Sequence, residues 1–448
     1  MPRSGGQLLD DALRIWRAGV EGVRPERLLP ELIVRDRHAL WFDDVEVPML
    51  PGGRIAVVGA GKGGSGMVRG LEAALGEALL RERRVAGVVS VPADCLGPTR
   101  AIELVSGRPP GVNEPRPEGA AAARRMLQLA GSLGPNDLCI CLLSGGGSAL
   151  LPAPADGVTL EQKITLTRLL SASGAAIEQI NTVRSQLSVI KRGGLARACR
   201  AGTLVTLIVS DVLGDPIASI ASGPTAPNNQ SPRDAIEVLR SLELDRAPAA
   251  APIVAWLSAR AQNPEPAATI GCRLHHVVVA NNAAAVDAAG VEAERLGYNH
   301  AMIAATASEG AAEGVGTGLA DAALGMRSAG DPNCLISGGE PTVRLAPAAE
   351  RGRGGRNQQL VLAAAQRLGG CDGIALVSGG TDGEDGPTDA AGGMLNAEIA
   401  GRLTDWETAD ALRRNDAYPL LERVGGLLKT GPTHTNVCDL RVVVVDAP

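Results

Sequence analysis

The chain has 448 residues, enough for two or three domains that each bury a hydrophobic core. Apolar residues make up 45% and charged residues 21%, which is the composition of a folded protein and excludes extended disorder. The net charge is −6, and four Trp, two Tyr and one Phe are the only aromatic residues. Because nucleic-acid binders use basic stripes or stacking rings, we expect no nucleic-acid partner.

The longest uncharged run, 138–155, is broken by glycines and prolines, and the N-terminus carries Asp10 and Asp11. We therefore expect no membrane-spanning helix, no secretory signal and a cytoplasmic location. The eight cysteines include no Cys-x-x-Cys pair, and the five histidines form no His-Glu-x-x-His motif. Reduced thiols are expected, and a histidine-held metal is not.

Apolar segments of strand length alternate with helical segments along most of the chain. The strand candidates are 54–58, 85–91, 138–143, 203–209, 274–280, 300–304, 334–336, 374–377 and 440–445. This alternation predicts the α/β class with largely parallel sheets. Prolines between 225 and 270 indicate a linker, so we predict an N-terminal domain over 1–250 and a C-terminal domain over 270–448.

Four of these apolar runs end in glycine-rich turns. Glycine after a strand lets the backbone turn sharply and brings bare N–H groups against an anion, at the sheet edge where α/β proteins bind ligands. A turn can also need glycine for its backbone alone, but four together favour a phosphate-binding cleft. The candidate binding residues in these turns are Gly59, Gly61, Gly63, Gly64, Ser144, Gly145, Gly146, Gly147, Ser148, Ser337, Gly338 and Gly339.

The first turn has the spacing of a dinucleotide-binding fingerprint, Gly59-x-Gly61-x-x-Gly64. The acid that would hold the ribose is missing at the end of the next strand, which counts against NAD. Lys62 is followed by Gly63 and not by Ser or Thr, so a Walker A loop is excluded. An ammonium group in this turn fits between phosphate oxygens; a solvated lysine that caps the turn is the alternative.

Acidic residues follow the later strands. Glu340 comes directly after one glycine pair, Asp382 and Asp385 crowd another turn, and Asp211 follows a fifth strand. Mg²⁺ takes one or two carboxylates together with phosphate oxygens and water, so these acids indicate a site for Mg²⁺ or another divalent cation, with Asp382 and Asp385 as its ligands. Helix caps and solvated loop acids are the alternative for some of them.

Basic residues precede the helical stretch 360–368. Arg353 and Arg356 would repel the positive end of the helix dipole unless an anion joined them, and Asn357 adds an amide. The pattern predicts a bound phosphate or carboxylate there. Two hydroxyl-rich turns, 220–225 and 430–436, suit either a substrate wall or an ordinary tight turn.

These motifs together resemble the glycerate 2-kinase family with the MOFRL domain, some of whose members have been labelled hydroxypyruvate reductases. The segments that carry the resemblance, in order, are 59–62, 143–149, 181–184, 210–216, 221–225, 337–340, 352–358, 380–383 and 431–436.

The resemblance implies ATP-dependent phosphorylation of D-glycerate at its 2-hydroxyl, with a divalent cation, giving 2-phosphoglycerate. It also implies a Rossmann-like N-terminal domain and a MOFRL domain around a deep interdomain cleft, and leaves a homodimer open. By motif, the active-site lysine falls on Lys62, the acid on Glu340 and the arginine on Arg353, and we add Asp211 as a further catalytic candidate.

One segment departs from the family pattern. Members usually carry His-Pro near the third strand, where this chain has Arg108-Pro109, and we expect substrate preference to be affected. Two other classes stay open at this point: an NAD(P)H-dependent hydroxypyruvate reductase, which would use the fingerprint of the first turn, and a non-catalytic sensor of sugar phosphates.

Overall fold

The structure is a computed structural model that describes residues 3–112, 114–263 and 269–446. It divides into two compact units that interleave along the chain. The mixed-sheet unit comprises Met1–Leu28, Val209–Asp215 and Ala280–Pro448, and the parallel-sheet unit comprises Leu29–Ile208 and Pro216–Val279. The sequence had assigned the first 28 residues to the N-terminal domain. The domain extents 1–250 and 270–448 themselves stay a prediction.

The strands are β1 Ile33–Arg35, β2 Ala39–Phe42, β3 Val45–Pro48, β4 Ile55–Ala60, β5 Ala86–Pro92, β6 Ile102–Arg108, β7 Leu138–Ser144, β8 Thr203–Val209, β9 Arg273–Ala280, β10 His300–Ile303, β11 Cys334–Gly339, β12 Ile374–Gly380, β13 Gly392–Leu395, β14 Leu427–Leu428 and β15 Asp439–Val445. The α-helices are α1 Gly5–Gly22, α2 Pro25–Leu32, α3 Gly64–Glu82, α4 Pro117–Gly131, α5 Gly147–Leu150, α6 Leu160–Ala172, α7 Ile177–Gln186, α8 Gly194–Ala198, α9 Pro232–Ser241, α10 Ala251–Gln262, α11 Asn282–Arg295, α12 Ala312–Ala329, α13 Arg356–Leu368, α14 Ala397–Ala400, α15 Asp405–Arg414 and α16 Ala417–Val424.

The parallel-sheet unit is built on a six-stranded sheet in the order β6-β5-β4-β7-β8-β9. Strand β4 pairs in parallel with both β5 and β7, and every residue of β4, β7 and β8 is buried. Such fully apolar strands are typical of parallel sheets that helices cover on both faces. The chain leaves β4 in one direction toward β5 and returns to its other side as β7, so the carboxyl ends of β4 and β7 form the switch point where ligands bind in open α/β sheets.

The mixed-sheet unit is built on a sheet in the order β10-β11-β15-β12-β13-β14. The α/β class is confirmed, but only β10 and β11 pair in parallel here, since β15 runs antiparallel to both β11 and β12. The sequence predicted largely parallel sheets in both domains. An apolar run such as 440–445 reports burial on two faces and carries no information on strand direction.

Helices cover both faces of the mixed sheet. Side chains of β15 alternate, with Val443 and Val445 in a core with α12 and α13, while Val442 and Val444 meet α1 and α11. Trp16 of α1 is 1% exposed, and its Nε1 donates a hydrogen bond to the backbone oxygen of Leu440 at 3.0 Å. Across the three described ranges, no helix combines the length and the apolar character needed to cross a membrane.

Candidate active site

The turn after β4 closes against the turn after β7. Gly61 has a positive φ of 148°, and a Cβ atom there would overlap Ser144 Oγ. The Ser144 hydroxyl accepts a hydrogen bond from the Gly63 N–H at 2.9 Å, and the Lys62 N–H donates to the Gly145 oxygen at 2.8 Å. The two predicted phosphate-binding turns of this unit therefore form one surface at the switch point, and glycine at 61 is required by close packing.

Lys62 lies on this surface with Gly146, which has a positive φ of 76°. A Cβ atom on Gly146 would lie 3.4 Å from Lys62 Cγ and 3.6 Å from Arg108 Nη2. Arg108 is 3% exposed, and its Nη1 donates to the Pro109 and Val112 oxygens at 3.3 and 3.0 Å. The residue that departs from the family pattern is thus buried directly beside the turn that follows β7.

A second constellation lies in the mixed-sheet unit around Arg356, the first residue of α13. Its Nε and Nη2 donate to Asp439 Oδ2 and Oδ1 at 2.7 and 2.9 Å, and its Nη1 donates to Glu340 Oε1 at 2.9 Å. The Asp439 side chain is fully buried. The anion that the arginine at this helix N-terminus was predicted to need is supplied here by two carboxylates of the chain itself.

Glu340 is held at this position from both sides. Its backbone N–H donates to Glu309 Oε2 at 3.1 Å, and its side chain contacts Arg356. Burial raises the pKa of Glu340 above its ordinary value; the Arg356 charge opposes this, and the neighbouring Asp439 and Asp382 carboxylates reinforce it. A carboxylate with a raised pKa is suited to accept a proton near neutral pH.

Asp385 is buried against the N-terminus of α13. Its Oδ1 accepts from the Asn357 N–H at 3.1 Å, and its Oδ2 accepts from the Gln358 N–H at 2.9 Å. Burial and the nearby Asp439 charge raise the pKa of Asp385 to about 7, although the two backbone donors act in the opposite direction. Both oxygens are thus engaged by the helix, and the assignment of Asp385 as a metal ligand stays a prediction that would require these bonds to break.

Asn357 is buried in the same network. It is 0% exposed, and its Oδ1 accepts from Ser378 Oγ at 2.6 Å. Arg353 lies elsewhere on the unit: its guanidinium stacks on the ring of Tyr418 at 3.8 Å, and its N–H donates to Asp416 Oδ1 at 2.9 Å. Of the two arginines singled out from the sequence, Arg356 is the one that contacts Glu340.

Close packing requires glycine at both of the last two positions of β11. A Cβ atom on Gly338 would overlap the Asn282 amide, and one on Gly339 would overlap both Glu309 Oε2 and Arg441 Nη2. Ser337 is 6% exposed, and its Oγ has no hydrogen-bond partner among the described residues. A phosphate-binding role for these three residues stays a prediction.

Two further acids of the mixed-sheet unit lie beside the segment 430–438. Asp211 Oδ2 accepts from Asn436 Nδ2 at 3.2 Å, and Asp382 Oδ1 accepts from the Glu384 N–H at 3.0 Å. The Thr433 backbone N–H donates to the Asp382 backbone oxygen at 3.3 Å. Within the ranges the structure describes, no group of three or more His, Cys, Asp or Glu side chains is arranged to hold a metal ion. The hard oxygen donors of Asp211 and Asp382 fit Mg²⁺, which also takes phosphate oxygens and water.

Sequence reasoning missed Asp439 and Arg441. Arg441 is 1% exposed, and its two terminal nitrogens donate to the Glu309 carboxylate at 2.8 and 2.7 Å. Asp439 and Arg441 flank the first apolar residue of β15, so the signal was present as two charges of opposite sign on one face of a strand that is otherwise buried. Such charges require partners, and in this unit the partners are Arg356 and Glu309.

Comparison with known proteins agrees with this architecture. Residues 11–257 match the family described as "Domain of unknown function (DUF4147)", and residues 333–439 match the MOFRL family. The glycerate kinase of Mus musculus is 34% identical over 504 aligned positions, which cover 99% of this chain and 94% of the mouse protein. The chain belongs to the glycerate kinase family. The family resemblance predicted from the sequence motifs is confirmed, and this membership identifies the protein as a kinase.

Other family members extend the comparison. A D-glycerate 2-kinase of Thermotoga maritima is 33% identical, with 97% of both chains covered. A putative hydroxypyruvate reductase of Agrobacterium vitis is 38% identical, with 88% of this chain and all of that protein covered. The crystal structure of glycerate kinase from Thermotoga maritima superposes with a TM-score of 0.79 at 33% identity, covering 98% of this chain and 100% of the other.

Proposed function

We propose that this protein transfers the γ-phosphoryl group of ATP to the 2-hydroxyl of D-glycerate, giving 2-phosphoglycerate and ADP. The observation that carries the proposal is the similarity to the D-glycerate 2-kinase of Thermotoga maritima, which extends over 97% of both chains. The transferred group forms a bond to the substrate oxygen as its bond to the ADP oxygen breaks, and the hydroxyl proton is released.

Lys62 is proposed to neutralise charge on the transferred phosphoryl group. Phosphoryl transfer has a loose transition state with charge spread over its oxygens, so fixed positive groups contribute more than a strong base. The surface formed by the turns at 59–64 and 144–148 supports this role, because its glycines allow close approach of backbone N–H groups to phosphate. Arg353 is proposed to add a second positive charge.

Glu340 is proposed to orient the 2-hydroxyl and accept its proton. Its raised pKa brings the carboxylate closer to the working pH, and the contact with Arg356 fixes its direction. Asp211 and Asp382 are proposed to hold Mg²⁺, which would supply charge neutralisation at the phosphates.

The test is a pair of assays on the purified protein. With ATP, Mg²⁺ and D-glycerate we expect release of ADP, and NMR of the product should show phosphate on the 2-oxygen. With NADH and hydroxypyruvate we expect no oxidation of NADH. NADH oxidation without ADP release would replace the kinase by the reductase, and phosphate on the 3-oxygen would refute the proposed position of transfer.

Replacement of Lys62 by Ala should lower kcat at least about 100-fold, the loss that follows removal of one positioned electrostatic donor. Arg81→Ala is the matched control, because this substitution also removes one positive charge. The Arg81 side chain is 76% exposed on α3, the helix that follows the same turn. Thermal unfolding of both variants should stay near that of the parent. A Lys62→Ala enzyme with parental turnover would remove Lys62 from the proposed mechanism.

A further inference from the structure

In the described part of the parallel-sheet unit, three basic side chains have no carboxylate as an ion-pair partner: Lys163, Arg184 and Lys191. Lys163 and Lys191 are 6% and 2% exposed, and Arg184 of α7 lies close enough to both to perturb them. Among the residues that the structure describes, none of the three forms an ion pair. Lys163 Nζ donates to the Leu187 backbone oxygen at 2.7 Å, and the Arg184 side chain makes no hydrogen bond within the same ranges.

Lys191 lies at the centre of a cluster of hydroxyl groups. Its Nζ donates to the Ser148 backbone oxygen at 3.3 Å and to Ser222 Oγ at 3.2 Å. The two serine hydroxyls are 2.8 Å apart, and Ser222 Oγ lies 3.5 Å from Asn181 Oδ1. Asn181 and Arg184 are three residues apart on α7 and so share one face of that helix. Hydroxyl-rich neighbours solvate an ammonium group but do not neutralise it.

Burial without a counter-charge is costly. Burial, reinforced by the Arg184 charge, lowers the pKa of Lys163 to about 7 and that of Lys191 well below its ordinary value. Natural proteins place charged side chains in the interior when they are paired or when they bind something charged. Two buried lysines and an arginine without a carboxylate partner among the described residues therefore form a site at which a bound anion would stabilise the charged state of the lysines.

The cluster adjoins the candidate active site within the same unit. Ser148 and Gly146 belong to the turn after β7, and a Cβ atom on Gly146 would contact the Lys62 side chain at 3.4 Å. Ser148, Asn181 and Arg184 are partly exposed, while Lys191 and Ser222 lie beneath them. Arg184 therefore lies at the partly exposed side of this cluster, in the same unit as Lys62.

We propose that Arg184 and Lys191, with Ser148, Ser222 and Asn181, bind the carboxylate of the 2-hydroxy acid substrate. This assignment rests on the proposed function for the identity of the acid. A carboxylate fits better than a phosphate because two of the three Lys191 N–H groups already donate to the chain. The donors that remain, the third Lys191 N–H and the Arg184 guanidinium, are few and match the two oxygens of a carboxylate. Arg184 is thus a specificity-determining residue.

The test is direct binding of D-glycerate to the full chain by calorimetry, without nucleotide. Arg184→Gln should weaken D-glycerate binding by about 30-fold, the usual worth of one charge-assisted hydrogen-bond pair, while a non-hydrolysable ATP analogue binds as to the parent. Arg184→Lys should recover part of the loss. Arg168→Gln is the control: Arg168 is 66% exposed on neighbouring α6 and pairs with Glu114 at the surface, so its replacement should leave D-glycerate binding unchanged.

A second readout separates a binding role from a structural one. The parent should bind D-glycerate much more tightly than D-glyceramide, its uncharged amide, and Arg184→Gln should lose most of this discrimination. Equal weakening of both ligands, or a loss confined to the ATP analogue, would overturn the proposal. Arg184-dependent glycerate binding in a parent that releases no ADP would refute the proposed kinase function and leave the carboxylate site standing.

Discussion

Gly339→Ala should destabilise the mixed-sheet unit strongly. A Cβ atom at this position would overlap Glu309 Oε2 and Arg441 Nη2, so the methyl group cannot enter unless the ion pair separates. The Arg441 side chain is 1% exposed and the Glu309 side chain 26% exposed, so separating them leaves a buried guanidinium without its carboxylate, at a cost of about 3 kcal/mol, the lower end of the range for breaking a buried pair. The free energy of unfolding, measured in urea by circular dichroism, should fall by that amount.

Gly318→Ala is the matched control for this substitution. Gly318 lies on the exposed side of α12, and a Cβ atom there has no neighbour within 4 Å. Because alanine is favoured over glycine in a helix interior by about 1 kcal/mol, this variant should be more stable than the parent. The same chemical change thus has opposite signs at two sites. If Gly339→Ala unfolds like the parent while its nucleotide affinity falls, glycine is needed there for a ligand, and the packing argument is refuted.

Two further variants probe the network at the start of α13. For Asp385→Asn, the native pKa of about 7 lies above the ordinary 3.8, so ionisation destabilises the folded state as pH rises through this window. The stability of the variant relative to the parent should therefore increase by up to about 4 kcal/mol between pH 4 and pH 7, and urea titrations that show a constant difference would contradict this. Arg356→Met leaves the Asp439 carboxylate buried without its partner and should cost about 3–5 kcal/mol in the same assay. Adding Asp439→Leu should recover much of that loss, and no recovery would show that the pair does not act as a unit.

Local sequence signals predicted the parallel-sheet unit well. Strand β4 is an uninterrupted apolar run followed by Gly-x-Gly, and burial on both faces together with a tight turn leaves few alternatives to a strand in a covered sheet. The turn glycines indicated the site edge for the same reason. Gly61 has a positive φ and a close neighbour, Ser144, which together exclude residues with a side chain. The glycine itself therefore indicates the tight turn in the sequence.

The charge partners could not be predicted in this way. Arg356 and Asp439 are 83 positions apart, and their contact depends on β15 entering the sheet between β11 and β12. Local periodicity carries no information on such long-range insertion. The same limit explains why the carboxylates that contact the N-terminus of α13 were not predicted, and why the sequence pattern does not distinguish Lys191 from an exposed lysine.

The position of α1 has a consequence for folding during synthesis. This helix is translated before the other helices and strands of the mixed-sheet unit, yet it packs on β12 and β15, and β15 begins 417 residues after α1 ends. At typical translation rates, the apolar side of α1, which includes Trp16, stays without its partner strands for on the order of tens of seconds. A fragment starting at residue 280 would keep α11 but lack α1, and so would expose the part of this sheet face that α1 covers. Recombinant expression of the C-terminal half therefore calls for residues 1–28 to be supplied alongside it.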